Sequence, residues 1–202
     1  MPIKALMVDV DGVLVDGRPE DGRHWHTSVQ ADLGFTSDAL HERFFAPFWD
    51  DIVTGRAGLM ERLTTALQEI APDMSPAEVV SYWFERDSRL VAPFLAELAG
   101  VRSAGIGVYL ATNQEHLRAA YLMEKLGLAE HVDGIFYSAR VGAKKPEADF
   151  FAKVQAAVGV CAHELLLIDD SRRNVEAALE AGWRAFHWTA HGSPSVVRSL
   201  CT

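Results

Sequence analysis

Three short apolar runs along the chain share one design, because each ends in a pair of polar side chains. The runs and the pairs that end them are residues 5–8 with Asp9 and Asp11, residues 107–111 with Thr112 and Asn113, and residues 165–168 with Asp169 and Asp170. Continuous apolar runs of this length are typical of strands buried on both faces, as in a parallel sheet covered by helices. Residues 134–138 and 184–188 are weaker strand candidates.

Helical patterns follow the second and third runs. The spacing predicts one helix on which Leu117, Ala120, Tyr121 and Leu126 share an apolar face. It predicts another helix in which Val175, Ala178, Leu179 and Gly182 follow the i, i+3, i+4, i+7 spacing of one face. Between them, Pro146 is expected to open a further helix. Alternating strands and helices predict an α/β fold, with a Rossmann-like, doubly wound parallel sheet as its core.

The stretch after the first run has a different pattern, because residues 16–92 contain no convincing buried strand. The pattern predicts helices around residues 26–33, 37–50, 59–70 and 76–90, with Ser75 capping the last of them. We therefore predict two domains. Residues 1–15 and 93–202 form the catalytic core, and residues 16–92 form an all-α helical cap domain inserted into it.

Composition and charge restrict the partners of the chain. Its 202 residues carry a formal net charge of −9, which argues against nucleic acid and against an anionic membrane surface as partners. No segment approaches the roughly 18 consecutive apolar residues of a membrane span. Two cysteines and an N-terminus without a secretory pattern lead us to expect a cytoplasmic protein. His187 and His191 lie four apart without a third ligand, and we interpret them as ordinary surface or core histidines.

The polar residues that end the three runs are expected to lie together, since ligands of open parallel sheets bind outside the carboxyl ends of the strands. Lys144 and Lys145, after the fourth strand candidate, join this edge. Crowded carboxylates need a hard cation such as Mg²⁺. A hydroxyl, helix-start amides and a lysine are suited to a phosphate. Any one of these residues alone is better explained as a turn, cap or solvated loop residue; together they predict a site.

The segments DVDGVLVDG, ATN, KKP and LLIDDSRRN resemble, in this order, the four motifs of the haloacid dehalogenase (HAD) superfamily. The helical insert lies where members of that family with a C1-type cap carry theirs. The resemblance implies a Mg²⁺-dependent phosphatase that hydrolyses a small phosphorylated metabolite through an aspartyl-phosphate intermediate.

The resemblance also implies roles for individual residues. Asp9 corresponds to the nucleophile, and Asp11 to the general acid and base, with its backbone carbonyl on the metal. Thr112 and Asn113 correspond to phosphate ligands. Lys145 corresponds to the lysine that neutralises charge, with Lys144 as the alternative. Asp170 corresponds to the direct metal ligand, with Asp169 in support; the reverse assignment of these two acids stays open.

Two alternative activities on the same fold remain open, a 2-haloacid dehalogenase and a phosphomutase. The dehalogenases of the family work without metal and lack an acid at the position of Asp11. That acid therefore favours phosphoryl transfer over cleavage of a carbon–halogen bond. The motifs do not distinguish transfer to water from transfer to another hydroxyl group.

Overall fold

A computed structural model describes residues 2–189 and 192–201, so His191 lies outside the described residues. Five parallel strands form one sheet in the order β3-β2-β1-β4-β5. The strands are β1 Ala5–Val8, β2 Gly107–Thr112, β3 Gly134–Tyr137, β4 Leu165–Asp169 and β5 Arg184–His187. The chain leaves β1 in the centre and winds outward in both directions, which confirms the doubly wound α/β fold.

The register of the central strands brings their carboxyl ends to one edge. Val8, the last residue of β1, pairs with Leu110 of β2 and with Ile168 of β4. The amide of Asp9 continues this ladder by donating to the Ile168 carbonyl at 2.9 Å. The polar residues that follow these strands therefore start from adjacent positions.

Helices cover both faces of the sheet, and the central strands β1 and β4 are accordingly buried along their whole length. Side chains alternate along β1, with Leu6 and Val8 in one buried cluster and Met7 in the other. The helices outside the insert are α6 Ala92–Ser103, α7 His116–Ala120, α8 Ser138–Val141, α9 Ala148–Val158, α10 Arg172–Glu180 and α11 Val196–Cys201. A π turn, Tyr121–Lys125, continues α7, and short 3-10 turns span Leu128–Glu130 and Ala162–Glu164. None of the described helices is long and apolar enough to cross a bilayer.

Between β1 and α6, residues 25–86 form the helical insert, which has a hydrophobic cluster of its own around Phe44, Leu63 and Trp83. Its elements are a 3-10 turn Trp25–Ser28, α1 Val29–Leu33, α2 Ser37–Leu40, a π turn His41–Phe45, α3 Ala46–Val53, α4 Leu59–Ile70 and α5 Pro76–Arg86. Ser75 and Glu78 form a capping box at the start of α5, as the sequence predicted for Ser75.

Three expectations from the helical patterns were wrong. The face predicted from Leu117 and Ala120 is exposed, with Leu117 at 43%, and the neighbouring Arg118 is buried instead. The Glu115 side chain caps α7, and the buried face of the helix that follows contains Arg118, Ala119 and Leu122. Leu179 is 53% exposed near the end of α10. Pro146 lies in a turn before α9, closed by the Glu147 amide donating to the Lys144 carbonyl.

The helical insert docks on the sheet through the C-terminal end of α3. The Ser138 hydroxyl of α8 donates to the Val53 carbonyl at 2.5 Å. Gly55 approaches α8 so closely that a Cβ built on it would lie 2.4 Å from the Ala139 carbonyl oxygen. The absence of a side chain at residue 55 is therefore what allows this contact.

Gly55→Ala and Gly34→Ala together test this contact. Both glycines have positive φ, +76° and +83°, so each alanine costs about 1 kcal/mol of backbone strain. Nothing lies within 4 Å of a Cβ at Gly34. We expect Gly55→Ala to lose at least about 1 kcal/mol more stability in urea unfolding, because it also overpacks the contact. Equal losses in the two variants would contradict the close approach.

Candidate active site

Three carboxylates meet at the carboxyl edge of the sheet. Asp9 follows β1, Asp169 ends β4, and Asp170 follows it. One oxygen from each lies within 4.8 Å of the other two. Asp9 and Asp169 are buried and Asp170 is exposed, so the cluster extends from the interior to the surface. The carboxylates are close together because β1 and β4 are adjacent in the sheet. The polar residues that end the apolar runs of the sequence predicted this clustering.

Lys145 is the cation that enters this cluster. Its Nζ lies 3.0 Å from Asp9 Oδ1 and also donates to Asp169 Oδ2, and the residue is 2% exposed. Asn113 holds its backbone on both sides, since Asn113 Nδ2 donates to the Lys145 carbonyl and the Lys145 amide donates to Asn113 Oδ1, each at 2.8 Å. Lys144 instead pairs with Asp50 of the helical insert. Of the two lysines, Lys145 is the one at the carboxylates.

Asp169 and Asp170 have different surroundings. Asp169 accepts from the Ser171 amide at 2.8 Å and from Asn174 Nδ2 at 3.0 Å, in addition to Lys145. Both of its oxygens are therefore in hydrogen bonds, whereas Asp170 faces a cavity. Sequence reasoning missed Asn174, although it is the last residue of the LLIDDSRRN segment.

Burial controls the protonation of these groups. It raises the pKa of the Asp9 carboxyl to about 7; Lys145 opposes this, and Asp169 and Asp11 reinforce it. Burial and Asp169 also raise the pKa of Asp170. Burial lowers the pKa of Lys145, but Asp9 and Asp169 outweigh it and hold that pKa above its usual value.

The charges do not balance within this cluster. Three carboxylates face one ammonium group, and the raised pKa of Asp9 shows that the ionised form is disfavoured as the cluster stands. Carboxylate oxygens within 4.8 Å of one another are the donor set that a hard divalent cation prefers. Asp9, Asp169 and Asp170 therefore fit such a cation.

Asp11 lies beside the cluster, and its side chain is 55% exposed. Gln114 Nε2 donates to Asp11 Oδ2 at 2.6 Å and lies 3.4 Å from the hydroxyl of the buried Thr112. Arg118 Nη2 lies 3.9 Å from Asp11 Oδ1. Neither Gln114 nor Arg118 was predicted. The position of Gln114 directly after ATN was a usable signal, whereas Arg118 lay at a position that the helical pattern assigned to the surface.

Gly12 allows the loop after β1 to pass over the site. Its φ is +75°, and a Cβ on it would lie 2.4 Å from Asp170 Oδ2. A side chain here would displace the Asp170 carboxylate from the cluster. Glycine is therefore required by the close approach as well as by the backbone conformation.

A cavity of about 470 Å³ separates the sheet edge from the helical insert. Asp9, Asp11 and Asp170 line it on the sheet side. The residues His24, Trp25, Trp83 and Asp87 line it on the opposite side. Burial raises the pKa of Asp87 to about 6, and Asp11 acts in the same direction. Sequence reasoning assigned no role to these four residues.

A family model described as haloacid dehalogenase-like hydrolase matches residues 3–182. The chain belongs to this family. It is 27% identical over 194 residues to a phosphoglycolate phosphatase of Thiobacillus denitrificans, with 92% of this chain and 83% of the relative covered. It is 24% identical over 199 residues to a phosphorylated carbohydrates phosphatase of Thermotoga maritima, with 94% of this chain and 86% of the relative covered.

The fold of this HAD-like hydrolase is also found among solved structures. A HAD family enzyme from Bacteroides thetaiotaomicron, solved in complex with magnesium and inorganic phosphate, superposes with a TM-score of 0.82. It is 20% identical in sequence, and the match covers 96% of this chain and 98% of that one. The likeness extends over the sheet and the helical insert together.

Lys145→Met and Lys144→Met test the contribution of the buried ion cluster. Removing the Lys145 ammonium leaves Asp9 and Asp169 without a cation, so we expect a loss of about 3 kcal/mol in urea unfolding. The partner of Lys144, Asp50, is 71% exposed at its side chain, so Lys144→Met should cost less than about 1 kcal/mol. A Lys145→Met variant as stable as Lys144→Met would refute the proposed contribution.

Proposed function

We propose that this HAD-like hydrolase is a Mg²⁺-dependent phosphatase that hydrolyses a small phosphorylated metabolite through an aspartyl phosphate on Asp9. The single observation that carries the proposal is the joining of Asp9, Lys145 and the Asp169–Asp170 pair at one edge of the sheet, where Asp11 reaches the same cavity. Side chains suited to act as nucleophile, as general acid and as neutralising cation thus lie within one small volume.

Asp9 is oriented for nucleophilic attack. Its Oδ1 accepts from the Val10 amide at 2.8 Å and lies 3.0 Å from Lys145 Nζ. Its Oδ2 has no hydrogen bond to the described part of the chain, so we assign the attack on phosphorus to Oδ2. Lys145 stabilises the negative charge that accumulates on the transferring phosphoryl group. Thr112 and Asn113 are proposed to contribute to phosphate binding.

Asp11 is suited to proton transfer. The Gln114 hydrogen bond fixes one of its oxygens, and its exposed position places it against the cavity. We propose that Asp11 donates a proton to the leaving-group oxygen as the bond between that oxygen and phosphorus breaks. It then takes a proton from the water that attacks phosphorus, which frees Asp9 and releases inorganic phosphate.

Asp9, Asp170 and the backbone carbonyl of Asp11 are proposed to hold Mg²⁺, with Asp169 in support. When bound, the ion supplies positive charge that keeps Asp9 ionised and offsets the charge of the phosphate. The occupied hydrogen bonds of Asp169 favour the supporting role for this acid and the direct role for Asp170. Asp169 also keeps Lys145 in place between two carboxylates.

The comparisons support a phosphatase acting on small molecules. Both named relatives are phosphatases, one of phosphoglycolate and one of phosphorylated carbohydrates, and the solved neighbour was bound to magnesium and phosphate. We further propose that residues 16–92 act as a cap domain over a catalytic core of residues 1–15 and 93–202. A cap excludes bulk water and contacts the leaving group. A cytoplasmic location fits the two free cysteines.

Asp9→Asn should reduce hydrolysis of 4-nitrophenyl phosphate in Mg²⁺ by at least about a thousandfold, because an amide oxygen is a poor nucleophile. Circular dichroism should show an unchanged fold. Asp149→Asn, which changes an exposed acid on α9, is the matched control and should keep wild-type activity. Substantial activity in Asp9→Asn would exclude Asp9 as the nucleophile.

The alternative activity, a 2-haloacid dehalogenase, has its own test. Chloride release from 2-chloropropionate by the wild type in the presence of a chelator would indicate a dehalogenase.

Mg²⁺ should raise the thermal unfolding midpoint of the wild type, because a ligand that binds only the folded state stabilises it. Asp170→Asn should lose most of this rise. Asp73→Asn, which removes an exposed acid from the helical insert, should retain it. An equal rise in Asp170→Asn and in the wild type would contradict the assignment of Asp170 as a direct ligand.

A further inference from the structure

The part of the cavity that would receive the leaving group is acidic. Beyond the ion cluster it is lined by the carboxylates of Asp11, Asp16 and Asp87. None of the described residues that line it is a lysine or an arginine. His24 is the remaining titratable lining residue, and burial together with His26 lowers its pKa, so the imidazole is neutral at neutral pH.

Two arginines, Arg118 and Arg89, pair with the acids of the cavity but do not line it themselves. Arg118 is 1% exposed, donates to the carbonyls of Phe84 and Asp87, and lies 3.4 Å from Asp87 Oδ2. Arg89 donates to the carbonyl oxygen and, at 2.6 Å, to the carboxylate of Asp16. Two guanidinium groups are therefore shared among three carboxylates, and both already donate hydrogen bonds to oxygen atoms of the protein.

The wall facing the sheet edge is aromatic. Trp25 and Trp83 stack with their ring centroids 5.2 Å apart and their planes at 25°, and both line the cavity. Indole surfaces give an apolar contact for the carbon skeleton of a ligand, and the neutral imidazole of His24 is able to hydrogen-bond to a hydroxyl group. Such walls suit an uncharged, hydroxyl-bearing group.

We propose that the cavity selects phosphate esters whose leaving group is uncharged, as in a polyol or sugar phosphate, and disfavours a carboxylate on the leaving group. This inference rests on the proposed phosphatase function and narrows its substrate class. A leaving-group carboxylate would enter next to Asp11 and Asp87 without a cation to receive it, and juxtaposed like charges in a partly desolvated site strongly disfavour binding.

A matched pair of substrates tests the inference directly. The two compounds are 2-phosphoglycolate, which ends in a carboxylate, and 2-hydroxyethyl phosphate, which ends in a hydroxymethyl group at the same position. They are otherwise identical. With Mg²⁺ at pH 8, where Asp87 is ionised, we expect kcat/KM to be at least about tenfold higher for 2-hydroxyethyl phosphate. Each compound is also measured as a competitor of 4-nitrophenyl phosphate hydrolysis, so the preference is obtained even where neither is turned over. Equal values, or a preference for 2-phosphoglycolate, overturn the inference.

Asp87→Asn tests the origin of the selectivity. Removing this charge should reduce the ratio between the two compounds by at least about threefold, while Asp73→Asn, which removes an exposed charge of the insert outside the cavity, should leave the ratio unchanged. Circular dichroism and 4-nitrophenyl phosphate hydrolysis report whether the variants are folded. An unchanged ratio in a folded Asp87→Asn variant overturns the charge argument.

Failure of the inference and failure of the proposed function have different signatures. A wild-type protein that does not hydrolyse 4-nitrophenyl phosphate in Mg²⁺ contradicts the phosphatase function and removes the inference with it. Hydrolysis of 4-nitrophenyl phosphate combined with a preference for 2-phosphoglycolate leaves the phosphatase function intact and contradicts only the selectivity.

Discussion

The ion pair of Lys145 with Asp9 and Asp169 is the interaction on which the candidate site depends. Carboxylates at adjacent strand ends repel one another, and burial increases the cost because water does not screen the charges. The ammonium group between them offsets part of this cost, and Asn113 fixes the backbone that carries it. The offset is incomplete, as the raised pKa of Asp9 shows. A parallel sheet thus supplies a site with residual negative charge and a position suited to a divalent cation.

The second constraint is the attachment of the helical insert, and Arg118 links it to the site. Its guanidinium lies over the rings of Phe84 and Tyr121, donates to the last turn of α5 and approaches Asp11. A buried arginine needs such a set of acceptors, since an unpaired charge inside a protein is costly. The insert therefore satisfies part of the charge network that surrounds Asp11. Its position and the environment of the proposed acid are physically connected.

The sequence predicted the fold and the clustering of most residues of the candidate site, because both depend on local signals. Apolar runs ending in acids define β1 and β4, and strand adjacency then brings Asp9 and Asp169 together. Asn174 and Arg118 were missed for a different reason. Their roles depend on which side chains a helix directs toward neighbouring elements, and a pattern of apolar residues does not reveal a buried polar side chain. The cavity residues Trp25 and Asp87 depend on how the insert docks, which periodicity does not encode.

The difference between strand ends and the helical insert also determines what can be inferred from the relatives about the reaction and about the substrate. Chemistry at phosphorus requires residues at strand ends, where the fold itself fixes their spacing. Recognition of the leaving group requires residues of the helical insert and of its junction with the sheet. The fold does not fix the positions of these residues relative to one another. Overall identities of 24–27% to phosphatases of two different substrates therefore support a shared reaction more strongly than a shared substrate. The lining residues of the cavity belong to this chain itself, and the carboxylates among them are the basis for the proposed selectivity against an anionic leaving group.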